Sequence, residues 1–223
     1  PAQPRLVPSV AAKGGGERMR LLFIGPDFFR DGGLDLRETL AALVRERPAL
    51  MHRRPAPLQL TIVGSLAPDG RACGQSAADQ QRARAVVRAN RHWIRHYESL
   101  DHEALVRLMR GADVGVLSAC ADSCGLPVLE LQAAGCPVIS TDVRALPEIN
   151  DAARGWVIEV PKNRLGEALD GSCAQRERLS RSLRAGFSRC LTQILAEPQQ
   201  VRVKGEQALR ALQSRHDPNH IGA

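Results

Sequence analysis

Short apolar runs alternate with amphipathic stretches through residues 19–160. Met19-Arg20-Leu21-Leu22-Phe23-Ile24 is halted by Gly25 and has the length of a buried strand. Leu36, Leu40, Leu43 and Val44 then recur at helical spacing up to Pro48. Residues 58–63 read as a second strand closed by Gly64, and residues 77–90 as a helix. Residues 93–97 predict a third strand. Asp101 is placed to cap a helix carrying Leu105, Leu108 and Met109. Residues 113–117, 137–140 and 156–160 predict three more strands. Between the first two of these, Pro127 suits a first helical position and Gly135 a helix stop.

Strands alternating with helices predict parallel β-α-β units. The expected fold is α/β: a Rossmann-like, doubly wound parallel sheet with helices on both faces. Ligands of such sheets bind at the carboxyl ends of the strands, here the loops holding Gly25, Gly64 and residues 118–125. Residues 1–18 carry prolines and a Gly14-Gly15-Gly16 run and read as a linker with little to bury. Residues 19–170 form the expected binding domain, and 171–223 a helical segment packed on it. That tail reads as helical from about residue 164. Leu179, Leu183, Phe187, Leu191 and Leu195 make one apolar stripe, while Arg176, Arg178, Arg181, Arg184 and Arg189 occupy other, solvated faces.

Composition narrows the classes. The 223 residues are 43% apolar and 25% charged, which excludes a chain disordered throughout. No run approaches the ~18 apolar residues that span a bilayer. The chain opens Pro1-Ala2-Gln3-Pro4 rather than with Met, which reads as a cut inside a longer protein. The net charge of +7 suits an anionic partner: a nucleotide phosphate, or an acidic membrane surface touched peripherally. Two Trp, one Tyr and four Phe are too few to stack bases, so nucleic acid is not the expected partner. The six cysteines include no C-x-x-C pair and no zinc spacing. They read as reduced thiols, most of them small core residues, in a cytoplasmic protein.

The strongest local signal is Asp122-Ser123-Cys124-Gly125-Leu126-Pro127-Val128-Leu129-Glu130. It places one acid in the loop after a strand and another within about the first turn of the next helix. Gly125 permits close approach of a ligand to the backbone. The helix start offers free N–H groups and a positive dipole end to a phosphate. An acid beside it can accept hydrogen bonds from sugar hydroxyls. Spacing alone also fits a turn residue and a solvated helix residue.

That motif, with the Leu131-Gln132-Ala133-Ala134-Gly135-Cys136-Pro137-Val138-Ile139 that follows it and Thr141 to Ile149 beyond, resembles the donor site of retaining family 4 (group 1) glycosyltransferases. Leu22-Phe23-Ile24-Gly25 and Arg30-Asp31-Gly32-Gly33 resemble that family's first strand and basic loop. The resemblance implies the carboxyl-terminal, donor-binding half of a two-domain, B-type glycosyltransferase. The amino-terminal acceptor domain lies outside this chain. The implied substrate is a nucleotide sugar, with no cofactor and no metal, since basic side chains and helix dipoles neutralise the leaving diphosphate. Asp122 and Arg30 are the implied catalytic residues, Asp122 at the donor sugar. Glu130 would hold the ribose hydroxyls. Amides of Cys124, Gly125, Leu126 and Pro127 would face sugar and diphosphate, and Gly25, Gly32 and Gly33 would let the diphosphate approach.

This chain departs from the pattern at four places. The first acid is Asp122 rather than Glu, and the usual aromatic before the motif's Gly is Cys124. The paired Gly of the later loop is Arg144-Ala145. The Lys before Gly-Gly is Asp31, which predicts a negative charge beside the diphosphate. Two alternatives stay open: a nucleotide-sugar-binding domain without turnover, and a basic Rossmann-like module for a nucleic-acid or membrane surface.

Overall fold

A computed structural model describes residues 13–15, 18–46, 58–67 and 77–215. Six strands form one sheet: β1 (Met19–Asp27), β2 (Leu58–Ser65), β3 (Ile94–Tyr97), β4 (Val114–Leu117), β5 (Val138–Thr141) and β6 (Gly155–Ile158). Their order is β3-β2-β1-β4-β5-β6, and every pairing is parallel. Among the described residues seven helices accompany them: α1 (Gly33–Glu46), α2 (Ala77–Ala89), α3 (His102–Gly111), α4 (Leu126–Ala133), α5 (Leu146–Ile149), α6 (Cys173–Ala196) and α7 (Gln199–Arg215). Chain order reverses between β1 and β4, so the loops after these two strands diverge and leave a crevice at their carboxyl ends.

The strands run as apolar stretches because helices cover both faces. All four residues of β4 and of β5 are buried. Asp101 caps α3 as expected, accepting a hydrogen bond from the Ala104 amide. β1 does not stop at Gly25 but continues to Asp27, with its register to β2 shifting after Ile24. The two glycines permit this together: a Cβ on Gly64 would lie 1.7 Å from the Gly25 carbonyl oxygen.

At the chain's ends, residues 1–12, 16–17 and 216–223 of the expected lead-in and tail lie outside the described residues, and the rest differ from expectation in detail. Lys13 in the lead-in is buried, and its ammonium donates to the carbonyls of Met109, Arg110 and Ala112 at the end of α3. Gly14 donates its amide to Asp113, which also takes a two-pronged hydrogen bond from Arg20. The tail is not helical from residue 164. A turn closed by a Lys162–Ala168 bridge precedes α6, which begins at Cys173 behind the Ser172 cap. Pro198 separates α6 from α7, because proline lacks the N–H that continuation needs. Cys190 and Ile194 join the buried stripe while Leu195 is only half-buried, since a four-residue repeat drifts around a 3.6-residue helix.

Two of the tail's arginines are not simply solvated. Arg176 and Arg184 reach the carboxylate of Asp35 on α1, itself buried. Cys173 is disulfide-bonded, against the expectation of reduced thiols throughout. Cys120, Cys136 and Cys190 are free, buried thiols, and burial lifts Cys120 to about 12 and Cys136 to about 11. No helix among the described residues is long and apolar enough to cross a membrane.

Candidate functional site

The loop joining β4 to α4 sits at the mouth of the crevice. Asp122 Oδ1 accepts from the Cys124 amide at 3.0 Å and the Gly125 amide at 2.7 Å. An aspartate is the right length to close such a turn onto its own following amides. Gly125 has a φ of +62°, and a Cβ there would meet Ile149 at 2.4 Å, so the residue must be glycine to start α4 in this direction. The implied row of donor-facing amides is therefore corrected. Cys124 and Gly125 are already satisfied, and Pro127, second in α4 rather than first, has no N–H. Leu126, first in α4, is 62% exposed. Asp122 Oδ2 takes no hydrogen bond from any described residue.

Glu130 is the fifth residue of α4, just past the expected first turn. Its carboxylate is half-buried, and Oε1 lies 3.6 Å from Nδ1 of His102 at the start of α3. Asp122 and Glu130 thus stand on either side of the N-terminal turn of α4.

The loop from β1 to α1 forms the opposite lip. Asp27 Oδ1 accepts the amides of Phe29 and Arg30 at 3.1 Å, which turns the chain sharply. Gly32 and Gly33 are buried against protein, not open to a ligand. A Cβ on Gly33 would meet Phe28 at 2.3 Å, and one on Gly32 would meet Leu183 at 2.9 Å. Gly25 is likewise buried, with Asp31 2.9 Å from the site of a Cβ. Asp31 does not project towards the crevice. It is 8% exposed and accepts the Asp27 amide at 3.1 Å. Burial raises its carboxyl from 3.8 to about 6, with the Asp27 charge adding to the rise.

Arg30, the predicted cation, lines a cleft at this lip. Its Nε donates to Asp170 at 3.0 Å, and burial and this bond both act on its guanidinium. Its backbone carbonyl accepts from Arg176 at 2.9 Å and from the Cys120 thiol at 3.2 Å. Ser118 donates to the carbonyl of Asp31, and Arg176 also to that of Phe29 at 2.6 Å. Arg176 is thus a positioning residue that sequence reasoning left on a solvated face. Helical periodicity reports the direction of a side chain but not what stands opposite it. A cleft of about 270 Å3 lies beside Arg30, lined by Cys120, Ala121, Glu167, Asp170 and Gln175.

Strand order defines a Rossmann-like doubly wound parallel sheet whose switch point lies between β1 and β4, where ligands of such sheets bind. The family model described as "Glycosyl transferases group 1" matches residues 18–170, and the chain belongs to that family. A D-inositol 3-phosphate glycosyltransferase of Jonesia denitrificans is 34% identical over 122 residues, covering 55% of this chain and 25% of that protein. One of the same name from Mycobacterium sp. (strain KMS) is 30% identical over 134 residues, 57% of this chain and 30% of that protein. The matches thus span only about a quarter to a third of those relatives. Among solved structures, the C-terminal domain of the group 1 glycosyl transferase LpcC from Francisella tularensis has a TM-score of 0.59 at 16% identity, covering 89% of this chain and 86% of that one. The pneumococcal O-GlcNAc transferase GtfA, in complex with UDP and GlcNAc, has a TM-score of 0.60 at 14% identity, covering 89% and 33%. These two likenesses concern the fold.

Proposed function

We propose that this chain is the donor-binding half of a glycosyltransferase that moves a sugar from a nucleotide sugar to an acceptor, with retention at the anomeric carbon. The observation that carries this reading is the placement of Asp122 and Glu130 around the start of α4, at the carboxyl end of β4. In it, Glu130 accepts hydrogen bonds from the ribose hydroxyls. Asp122 holds the loop through Oδ1 and turns Oδ2 to the donor sugar. The Leu126 amide and the positive end of α4 lie towards the diphosphate. When the bond from the anomeric carbon to the diphosphate oxygen breaks, its electron pair leaves with the diphosphate, and Arg30 stabilises that charge. The buried Gly25, Gly32 and Gly33 act indirectly, by letting the loop fold close to the sheet.

The acceptor binds to an amino-terminal domain outside this chain. The short span of the matched relatives and the coverage of the isolated LpcC domain support that division. Titration calorimetry of the purified chain with UDP, GDP and ADP tests the reading. Binding of one diphosphate more tightly than its nucleoside is expected, with no sugar transfer by the chain alone. Absence of binding by all three overturns it.

A second reading is binding without turnover, and one observation favours it. Asp122, a methylene shorter than glutamate, already spends one oxygen on its own loop. The same chain joined to its acceptor domain, binding donor yet releasing no free sugar and forming no product, would establish that reading.

A further inference from the structure

Both arginines that flank the crevice are already matched by acids from one short segment. Arg30 donates to Asp170 at 3.0 Å, and Arg144 pairs with Glu167. The two acids are three positions apart, in the turn between β6 and α6. That turn is firmly held. Ala168 donates its amide to the Cys120 carbonyl at 2.8 Å, and Leu169 to that of Pro161 at 2.8 Å. The Arg144 amide donates to Gly166 at 2.9 Å, although Arg144 itself adopts a left-handed φ of +42°. Asn163 fixes Glu167 from the other side, donating to Oε2 at 3.1 Å while its own Oδ1 accepts the Glu167 amide at 3.0 Å. The segment touches the end of β4 through Cys120 and the later loop through Arg144, so it closes one side of the cleft beside Arg30.

The cations remain partly open to solvent: the Arg30 and Arg144 side chains are 36% and 35% exposed. A diphosphate entering the crevice meets guanidinium groups whose charge the segment has partly cancelled. We infer that Glu167 and Asp170 are specificity-determining residues that compete with the donor's diphosphate for Arg144 and Arg30, setting how strongly this site favours charged over uncharged nucleoside ligands. The inference rests on the donor reading above. Its physical basis is that a carboxylate and a phosphate oxygen make the same charge-assisted hydrogen bond to an arginine. Neutralising the carboxylate while keeping its shape frees the cation for the ligand.

The test is the affinity of UDP and of uridine for the wild-type chain, Asp170→Asn, Glu167→Gln and the double variant, at low and high salt. Glu206→Gln, on α7 and paired with Arg202, controls for a general change of net charge. Competition predicts tighter UDP binding by roughly two- to fivefold for each single variant at low salt, the range of a partly exposed ion pair. The gain should add in the double variant, shrink with salt, and be absent for uridine and for Glu206→Gln. Unchanged or weaker UDP binding in Asp170→Asn and Glu167→Gln overturns the inference, the weaker case assigning the two acids to holding the arginines in place. Glu130→Ala separates the two levels. If it still weakens UDP binding, the donor site stands and only the competition fails. If neither it nor the acid variants alter UDP binding, the donor reading falls and the inference with it. Thermal melts of each variant show that the fold is retained.

Discussion

Asp122 and Gly125 close a turn on themselves: the glycine amide donates to Oδ1 at 2.7 Å, and its φ of +62° then leads the chain into α4. The loop that a donor would touch is built from a contact the protein makes with itself. Asp122→Ala should therefore cost stability as a lost helix cap does, about 1 kcal/mol. Asp122→Glu should lose a similar amount, because the longer side chain does not fold back onto the same two amides. It should also free the carboxylate for a ligand, raising the affinity for a UDP-sugar relative to UDP. Urea unfolding and titration of the two ligands check both parts. Wild-type stability in the alanine variant would show that the turn holds without its cap.

The Glu130 carboxylate takes no hydrogen bond from any described residue and lies 3.6 Å from Nδ1 of His102. Glu130→Ala should leave the melting temperature nearly unchanged. If the carboxylate holds the ribose, UDP binding should weaken by about 1.5–3 kcal/mol, the range for hydrogen bonds to a charged group. Calorimetric titration alongside circular dichroism separates this from a folding defect. Equal affinities in wild type and variant would remove Glu130 from the site.

Asp31 gives a pH dependence. Its folded-state value near 6 lies above the ordinary 3.8, so the folded protein binds this proton more tightly than the unfolded chain. The neutral carboxyl is tolerated in full below about pH 4. As pH rises from about 4 to about 6 the unfolded chain loses this proton while the folded carboxyl keeps it, and stability falls by up to ~3 kcal/mol, levelling off once the folded group ionises too. Asp31→Asn removes the titration. The stability difference, variant minus wild type, should grow between about pH 4 and pH 6 and level off above. Urea midpoints across that range measure it. A difference that stays flat would mean that Asp31 ionises as freely folded as unfolded. A lysine here would not face the crevice but would bury its charge against Gly25.

Asp35 ties α1 to α6. Its buried carboxylate accepts from Arg184 at 2.9 Å and from Ser180, with Arg176 at 3.5 Å. Asp35→Ala leaves Arg176 half-stranded and should destabilise by about 3 kcal/mol or more, as breaking a buried pair does. Arg176 also anchors the carbonyls of Phe29 and Arg30, so UDP binding should weaken before the fold is lost. Arg176→Lys should recover less of that binding than of stability, because a single ammonium does not span two carbonyls and a carboxylate. Chemical unfolding and UDP titration of the pair decide this. Loss of stability with unaltered UDP affinity would confine the network to a structural role.

The sequence by itself determined the alternation of strands and helices, the parallel sheet and the end of it that carries the loops. Those follow from short-range periodicity and from capping residues such as Asp101 and Gly135, which act within a few positions of themselves. The motif around Asp122 and Glu130 was legible for the same reason, since its parts lie on one loop and one helix. Only the tertiary structure decided which groups are taken. Asp122 turned onto its own amides, Asp31 was buried beneath Gly25, and Arg176 reached from residue 176 to the carbonyls of residues 29 and 30. Arg30 and Arg144 met acids from the turn before α6, 140 and 23 positions away. Charge and hydrogen-bonding capacity are properties of single residues, but their occupancy depends on what folding brings within about 3 Å, and that distance is not written in local pattern.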